Sequence, residues 1–122
     1  IVEDNELNRE ITSELLKDEG FLIEEAANGV EAIDKVIHSR SGYFDLILMD
    51  IQMPVMDGYK ATREIRRMKE SALAGIPIVA MTANTFEEDK KKCLAAGMNG
   101  HIEKPINRQI IRNTLANILN EV

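Results

Sequence analysis

The chain has 122 residues, a length typical of one compact domain, and 44% of them are hydrophobic, as in ordinary globular proteins. The 15 basic and 21 acidic residues give a net charge of −6 at pH 7, which disfavours non-specific binding to nucleic acid or to an anionic membrane. The single cysteine, Cys93, excludes an internal disulfide and argues against a cysteine-based zinc site. No apolar run is long enough to cross a bilayer. We therefore expect residues 1–122 to form one cytoplasmic domain.

The chain is predicted to open with a short strand and a longer helix. Residues 1–3 indicate the stub of a strand. Residues 5–19 predict a helix, for which Asn5 is a favourable N-cap and Gly20 a favourable stop. Apolar residues recur there at helical spacing and are expected to face the core: Leu7, Ile11, Leu15 and Leu16.

A second strand and a second helix are predicted next. Residues 21–26 have moderate β character, and Asn28-Gly29 marks a turn. Residues 30–39 then show a helical period, which predicts a helix with these residues on its inner side: Val30, Ile33, Val36 and Ile37.

The middle of the chain is predicted to contain two buried strands. Residues 44–50 include a continuous apolar run, which is typical of a strand covered on both faces of a parallel sheet. A loop bounded by Pro54 and Gly58 follows, and residues 59–68 resume helical spacing. Residues 76–81 predict a second buried strand.

The last third of the chain predicts two helices on either side of a strand. Residues 86–96 predict a helix in which Cys93 is interpreted as a packing residue and not as a nucleophile. Residues 99–103 predict a short strand, and residues 106–119 predict the last helix. The inner side of that helix carries Ile111, Leu115, Ile118 and Leu119.

Five predicted strands alternating with five helices indicate an α/β fold, a doubly wound parallel sheet with helices on both faces. In such sheets, functional residues gather outside the carboxyl ends of the strands. The residues at the ends of four predicted strands are therefore the candidates for a functional site. They are Glu3 and Asp4, Asp50, Thr82 and Ala83, and Lys104 and Pro105.

These residue types suit metal-assisted phosphoryl chemistry. Three carboxylates that converge repel each other unless a cation neutralises them, and oxygen ligands of this kind suit Mg²⁺. A carboxylate such as Asp50 can act as a nucleophile, while Lys104 and Thr82 bind phosphoryl oxygens and Ala83 leaves space for them. Each of these residues alone would more often be a cap, a turn or a surface residue. Their joint occurrence at four strand ends favours the functional interpretation.

The chain resembles the receiver domains of response regulators in two-component signalling, over essentially its whole length. The resemblance implies a flavodoxin-like fold with the strand order 2-1-3-4-5. The motifs that carry it are Val2-Glu3-Asp4-Asn5, Leu46-Ile47-Leu48-Met49-Asp50, Met53-Pro54-Val55-Met56-Asp57-Gly58, Met81-Thr82-Ala83-Asn84 and Lys104-Pro105.

The resemblance also implies a role for each residue of the site. Asp50 is implied as the phosphoacceptor in a domain that catalyses its own aspartyl phosphorylation and dephosphorylation. Asp4 is implied as a direct ligand of Mg²⁺ or Mn²⁺, Glu3 as a ligand acting mainly through water, and Gln52 as a ligand through its backbone carbonyl. The remaining implied roles are a switch hydroxyl for Thr82, a phosphoryl-binding ammonium for Lys104 and a cis peptide bond before Pro105.

By the same resemblance, phosphorylation draws Thr82 inward and reshapes the surface around the fourth predicted helix and the fifth predicted strand. An aromatic residue of that strand often moves with the threonine in the family. Here the matching residue is His101, so that a switching histidine and a solvated histidine are both open. Gln52 and Asn84 are implied to influence attack by water on the phosphoryl group.

Three other classes of protein fit less well. A phosphatase of the haloacid-dehalogenase type places its nucleophile after the first strand with a second aspartate two residues later, and Glu3-Asp4-Asn5-Glu6 does not match. A flavodoxin-like cofactor binder needs a Ser-, Thr- or Gly-rich phosphate loop where this chain is acidic. A degenerate receiver that serves only as a docking module is the remaining alternative, and the complete acidic, Thr and Lys set argues against it.

The stretches 80–84 and 93–104 resemble receivers attached to hybrid histidine kinases. This implies a phosphohistidine donor on the same polypeptide, a histidine phosphotransfer domain as acceptor, and tethering if the whole protein is a membrane sensor kinase. A partner helix is then expected near Asn8, Ile11 and Thr12. No direct contact with nucleic acid or membrane is expected, and a phosphorylation-dependent dimer remains open.

Overall fold

A computed structural model of the chain describes residues 1–83 and 87–120, with side chains as far as residue 118 in the last helix. The strands are β1 (Ile47–Asp50), β2 (Ile78–Thr82) and β3 (Gly100–Glu103). The helices are α1 (Glu6–Asp18), α2 (Gly29–Ile37), α3 (Gly58–Arg66), the short α4 (Ser71–Ala74), α5 (Glu87–Ala96) and α6 (Arg108–Asn120).

The three strands form a parallel sheet in the order β1-β2-β3. Asp50 pairs with Met81, and Thr82 pairs with Glu103, so that the carboxyl ends of the strands lie along one edge. Helices α3 and α4 connect β1 to β2, and α5 connects β2 to β3, because parallel neighbours need a crossover connection.

Two single parallel bridges extend this sheet on the β1 side. Val2 bridges both Ala26 and Met49, which places the 21–26 segment, the 1–3 segment, β1, β2 and β3 side by side. The predicted order 2-1-3-4-5 is therefore confirmed, although the first two predicted strands are each reduced to one bridged residue. The 21–26 segment lies at the edge, where Leu22 is fully exposed, and an edge segment has a neighbour on one side only.

The core lies on both faces of the sheet, as expected for strands that read as continuous apolar runs. Alternate residues of β1 serve opposite faces, with Ile47 and Met49 in one buried cluster and Leu48 in the other. The first cluster includes side chains of α2, α3 and α5, and the second includes Leu16 of α1 and Ile111 of α6. Helices therefore cover both faces, which holds the strand ends rigidly in place.

The predicted inner faces of the first two helices are partly wrong. Leu7 and Ile11 are 64% and 50% exposed, while the buried residues of α1 are Thr12, Ser13 and Leu16. The inner face of α1 therefore carries the small Thr12 and Ser13 beside Leu16, and two of the predicted inner residues remain outside. In α2, likewise, Ala32 and Val36 are buried, whereas Val30 and Ile37 are exposed.

The predicted N-cap of the first helix is confirmed, whereas the turn predicted at Asn28-Gly29 is itself the start of the second helix. The Asn5 side chain accepts from the Asn8 N–H at 2.9 Å, and Asn28 accepts from the Glu31 N–H at 2.9 Å, so that the predicted turn at Asn28 is the N-cap of α2. Cys93 is buried, as expected of a packing residue. The predictions for Phe86 and for the side chain of Leu119 fall outside the described residues.

None of the helices between residues 1 and 83 or between 87 and 120 has the length and apolar character needed to span a membrane.

Candidate functional site: an acidic cleft at the carboxyl ends of the strands

A cleft of about 160 Å³ opens at the edge of the sheet where the strands end. Asp50 ends β1, Thr82 ends β2, and Lys104 follows β3 directly. Parallel pairing brings these ends together because all strands of the sheet point the same way. The cleft is lined by Glu3, Asp4, Asn5, Asn8, Asp50, Ile51, Gln52, Met81, Thr82, Ala83 and Lys104.

Three carboxyl groups converge in this cleft. Glu3 and Asp50 are 2% and 4% exposed, whereas Asp4 is exposed. One carboxylate oxygen from each of the three lies within 4.8 Å of the others. In addition, Glu3 Oε2 is buried and has no hydrogen-bond partner, a costly arrangement for a charged oxygen. An oxygen-rich, acidic and incompletely satisfied group of this kind fits a hard divalent cation.

Lys104 is the cation that faces these carboxylates. Its Nζ lies 3.2 Å from Asp50 Oδ1 and 3.5 Å from Glu3 Oε1. The backbone holds the residue in place, since the Lys104 N–H donates to the Thr82 carbonyl at 2.8 Å. The Lys104-Pro105 peptide bond is cis, as the family resemblance implies. One ammonium cannot neutralise three carboxylates, so the cleft retains a net negative charge.

The pKa of Glu3 reflects this crowding. Burial, followed by the neighbouring Asp50 carboxylate, raises the pKa of Glu3 from 4.5 to about 7, although Lys104 and Asn8 lower it. Protonation of Glu3 is therefore easier in the folded chain than in an exposed glutamate.

This pKa predicts how stability depends on pH when no divalent cation is added. Because folding raises the pKa of Glu3, the folded state favours its protonated form, and that stabilisation is present below pH 4.5 and is lost as the pH rises through about 7. The change amounts to roughly 3 kcal/mol in the free energy of unfolding. Urea unfolding over a pH series should show Glu3→Gln becoming more stable than the wild type as the pH rises, because glutamine does not titrate.

Glu10→Gln is the matched control, since Glu10 is an exposed glutamate on α1. Its pH profile should follow that of the wild type. Parallel profiles for Glu3→Gln and the wild type would show that Glu3 does not titrate in this range.

The structure brings together most of the residues that the sequence predicts for the site. Gln52 and Ala83 line the cleft beside Asp50, and Thr82 is buried at its edge. His101 is half-buried within β3 and does not belong to the cleft lining. Asn84 falls in the part of the chain that is not described.

Gly58 fixes the backbone on the far side of Asp50. Its N–H donates to the Ile51 carbonyl at 2.9 Å, which presses the start of α3 against the end of β1. A Cβ atom at Gly58 would lie 2.3 Å from the Asp50 carbonyl oxygen and 3.0 Å from the Ile51 Cα atom. The sequence predicts only a loop boundary at Gly58, and the close contact between the two backbones depends on the packing of α3 against β1.

Two residues of α1 were also missed as contributors to the cleft. Asn8 lines it and lowers the pKa of Glu3, and Arg9 donates to the Glu3 carbonyl. The signal for Asn8 was its position in the first turn of the helix that follows Glu3 and Asp4.

Comparisons with known proteins agree with this geometry. Residues 1–116 match the family described as the response regulator receiver domain. The chain is 49% identical over 115 residues to hybrid signal transduction histidine kinase B of Dictyostelium discoideum, a match that covers 87% of this chain. The chain spans only 6% of the length of that protein.

Solved structures show the same fold. The chemotaxis protein CheY4 of Vibrio cholerae is 35% identical with a TM-score of 0.86, covering 97% of this chain and 94% of that one. The receiver domain of the sensor histidine kinase PA1611 from Pseudomonas aeruginosa, solved with a magnesium ion coordinated in its active-site cleft, is 37% identical with a TM-score of 0.85, covering 98% and 93%. With this fold, these motifs and an acidic cleft at the strand ends, the chain belongs to the response regulator receiver domain family.

Proposed function

We propose that this chain is a single receiver domain that accepts a phosphoryl group on Asp50 in a phosphorelay. The observation that carries the proposal is the position of Asp50. It is a buried carboxylate at a strand end, 3.2 Å from the Lys104 ammonium and clustered with the carboxylates of Glu3 and Asp4. Family membership supports the same function.

The cleft is proposed to hold Mg²⁺, or Mn²⁺ in its place. The ligands would be Asp4 and Asp50 directly, Glu3 mainly through water and the backbone carbonyl of Gln52. A bound divalent cation would neutralise the cluster and attract phosphoryl oxygens. The unpartnered Oε2 of Glu3 supports this proposal, and so does the magnesium ion in the related cleft of PA1611.

The side chains of the cleft divide the reaction between them. An Asp50 carboxylate oxygen forms a bond to phosphorus while the N–P bond of a phosphohistidine breaks, and the electron pair of that bond returns to the imidazole nitrogen. Lys104, already beside Asp50, would bind an equatorial phosphoryl oxygen as charge develops. Thr82 would bind another, and the small Ala83 leaves the approach open.

The partner is proposed to be a histidine kinase or a histidine phosphotransfer domain, and the context a hybrid kinase like the Dictyostelium relative. The exposed Leu7 and Ile11 of α1, next to Asn8 at the cleft, would form part of the docking surface. Thr12 is buried, so it is not available for that contact. We further propose a cytoplasmic domain, with no direct nucleic acid or membrane partner and with dimerisation only after phosphorylation.

The signal is proposed to pass from Thr82 to the surface formed by α5 and β3. Binding of its hydroxyl to the phosphoryl group would shift a pre-existing equilibrium between two arrangements of this surface. His101, half-buried in β3, would move with Thr82, while Gln52 and Asn84 would influence how long the phosphoryl group lasts.

Incubation of the wild-type chain with acetyl phosphate tests the function. Intact mass should show the gain of one phosphoryl group with Mg²⁺ and none when the metal is chelated, and peptide mapping should place it on Asp50. A folded chain that binds Mg²⁺ but takes phosphate neither from acetyl phosphate nor from a phosphorylated histidine kinase would contradict the proposal. The docking-module alternative would then explain the fold better.

A further inference from the structure

Arg9 donates a hydrogen bond to the backbone of Glu3 and not to the carboxylates of Glu3 and Asp4. It lies in α1, and its side chain is only 19% exposed. Nη1 donates to the Glu3 carbonyl oxygen at 2.8 Å, and Nε donates to Glu25 Oε1 at 3.1 Å. Lys104 differs, because its ammonium meets the carboxylates of Glu3 and Asp50 directly. The two cations therefore act on different parts of the same cluster.

The bond from Arg9 controls the orientation of one peptide plane. The Glu3 carbonyl belongs to the planar peptide unit that joins Glu3 to Asp4. The preceding peptide unit carries the Glu3 N–H, which donates to the Ala26 carbonyl at 3.1 Å. This is the last bond that joins residues 1–3 to the sheet. The chain then leaves the sheet, and α1 begins at Glu6. A donor on the Glu3 carbonyl thus holds the one stretch of backbone from which both carboxylates project.

Glu25 makes the arrangement specific to arginine. Two different N–H groups of the planar guanidinium donate at once, one to Glu25 and one to Glu3, and together they prevent the guanidinium from rotating. The Glu25 carboxylate also offsets the positive charge, and Arg9 does not belong to the residues that line the cleft. The contribution of Arg9 to the cleft is therefore one of orientation more than of charge.

We propose that Arg9 is a positioning residue that, through the Glu3 carbonyl, holds the Glu3 and Asp4 carboxylates in the arrangement a divalent cation requires. The inference rests on the proposed function, because it assigns Arg9 to the same cation site. Groups that orient metal ligands contribute about 10- to 100-fold in metal affinity.

Isothermal titration calorimetry with Mg²⁺ tests the inference. Arg9→Met keeps the apolar stem and removes the fork, and its dissociation constant should rise about 10-fold. Arg67→Met is the matched control, since Arg67 is an exposed arginine at the end of α3 whose guanidinium pairs with Glu64 of the same helix. It loses the same charge and should bind Mg²⁺ as the wild type does.

Arg9→Lys separates orientation from charge and serves if Arg9→Met does not fold. A lysine ammonium keeps the charge but lacks the fork that joins Glu3 to Glu25, so weakened binding is expected here too. Folded Arg9 variants with the Mg²⁺ affinity of Arg67→Met would overturn the inference while wild-type phosphorylation still upheld the proposed function. A wild type that binds no Mg²⁺ would overturn both.

Discussion

We expect the Asp50→Asn variant to take up no phosphoryl group from acetyl phosphate, with or without Mg²⁺. The amide oxygen of asparagine is not a nucleophile of the required strength, and no other carboxylate of the cleft combines burial with an ammonium at 3.2 Å as Asp50 does. Intact mass measured over a time course checks the result. Asp45→Asn is the matched control, because Asp45 is exposed and precedes β1, and it should be phosphorylated at the wild-type rate.

The same variant should remain folded, which makes its failure informative. The Asp50 carboxylate is one of the groups that raise the pKa of Glu3, so its removal relieves repulsion inside the cleft. We expect Asp50→Asn to unfold at a urea concentration no lower than the wild type when no Mg²⁺ is present. A stable Asp50→Asn protein that still gains one phosphoryl group would place the acceptor elsewhere, with Glu3 and Asp4 as the next residues to substitute.

We expect Gly58→Ala to lower the free energy of unfolding by about 3 kcal/mol, because the added methyl group overlaps backbone atoms that cannot move independently. The clash of 2.3 Å is with the carbonyl oxygen of Asp50 itself. Either α3 retreats from the sheet or the end of β1 shifts, and a shift of β1 displaces Asp50, the proposed phosphoacceptor. Phosphorylation should therefore slow even in the fraction of the protein that is folded.

Urea unfolding measures the stability, and Gly100→Ala is the matched control. Among the described residues, a Cβ at Gly100, in β3, would meet Ile118 Cδ1 at 3.4 Å, an ordinary contact. Its cost should stay within about 0.5 kcal/mol, as for a substitution without a steric conflict. Equal stability of the two variants would mean that α3 can withdraw from β1 at little cost.

The residues of the cleft were accessible from the sequence because parallel strands impose a simple rule. Once residues 44–50 and 76–81 read as buried strands, Asp50 and Thr82 had to lie near the same edge of the sheet, and Lys104 followed the next strand. The motifs around these residues carried the family resemblance, which the comparisons confirm. Local hydrogen bonds were also predictable, since the Asn5 side chain caps α1 by accepting from the N–H of Asn8, only three residues later.

The orientation of the helices was harder to predict than their existence. Helical periodicity identifies an apolar stripe, but it does not say whether that stripe faces the sheet or the outside. In α1 the buried residues include Thr12 and Ser13, whereas Leu7 and Ile11 remain exposed. The pattern alone could not reveal this, because the choice depends on how closely the helix can approach a sheet formed by distant parts of the chain.

By itself, the sequence determined the alternation of strands and helices, the edge at which the candidate site lies and the chemistry of its side chains. The family resemblance of its motifs implied the order of the strands. Only the tertiary structure decided which backbones touch and which groups each arginine side chain reaches. Gly58 meets Asp50, Arg9 meets the Glu3 carbonyl, and Arg66 donates to the carbonyl of Gly97 at 2.9 Å. The physical reason is that a guanidinium can reach many acceptors, and a glycine without a Cβ allows many close contacts. Tertiary packing selects one of them.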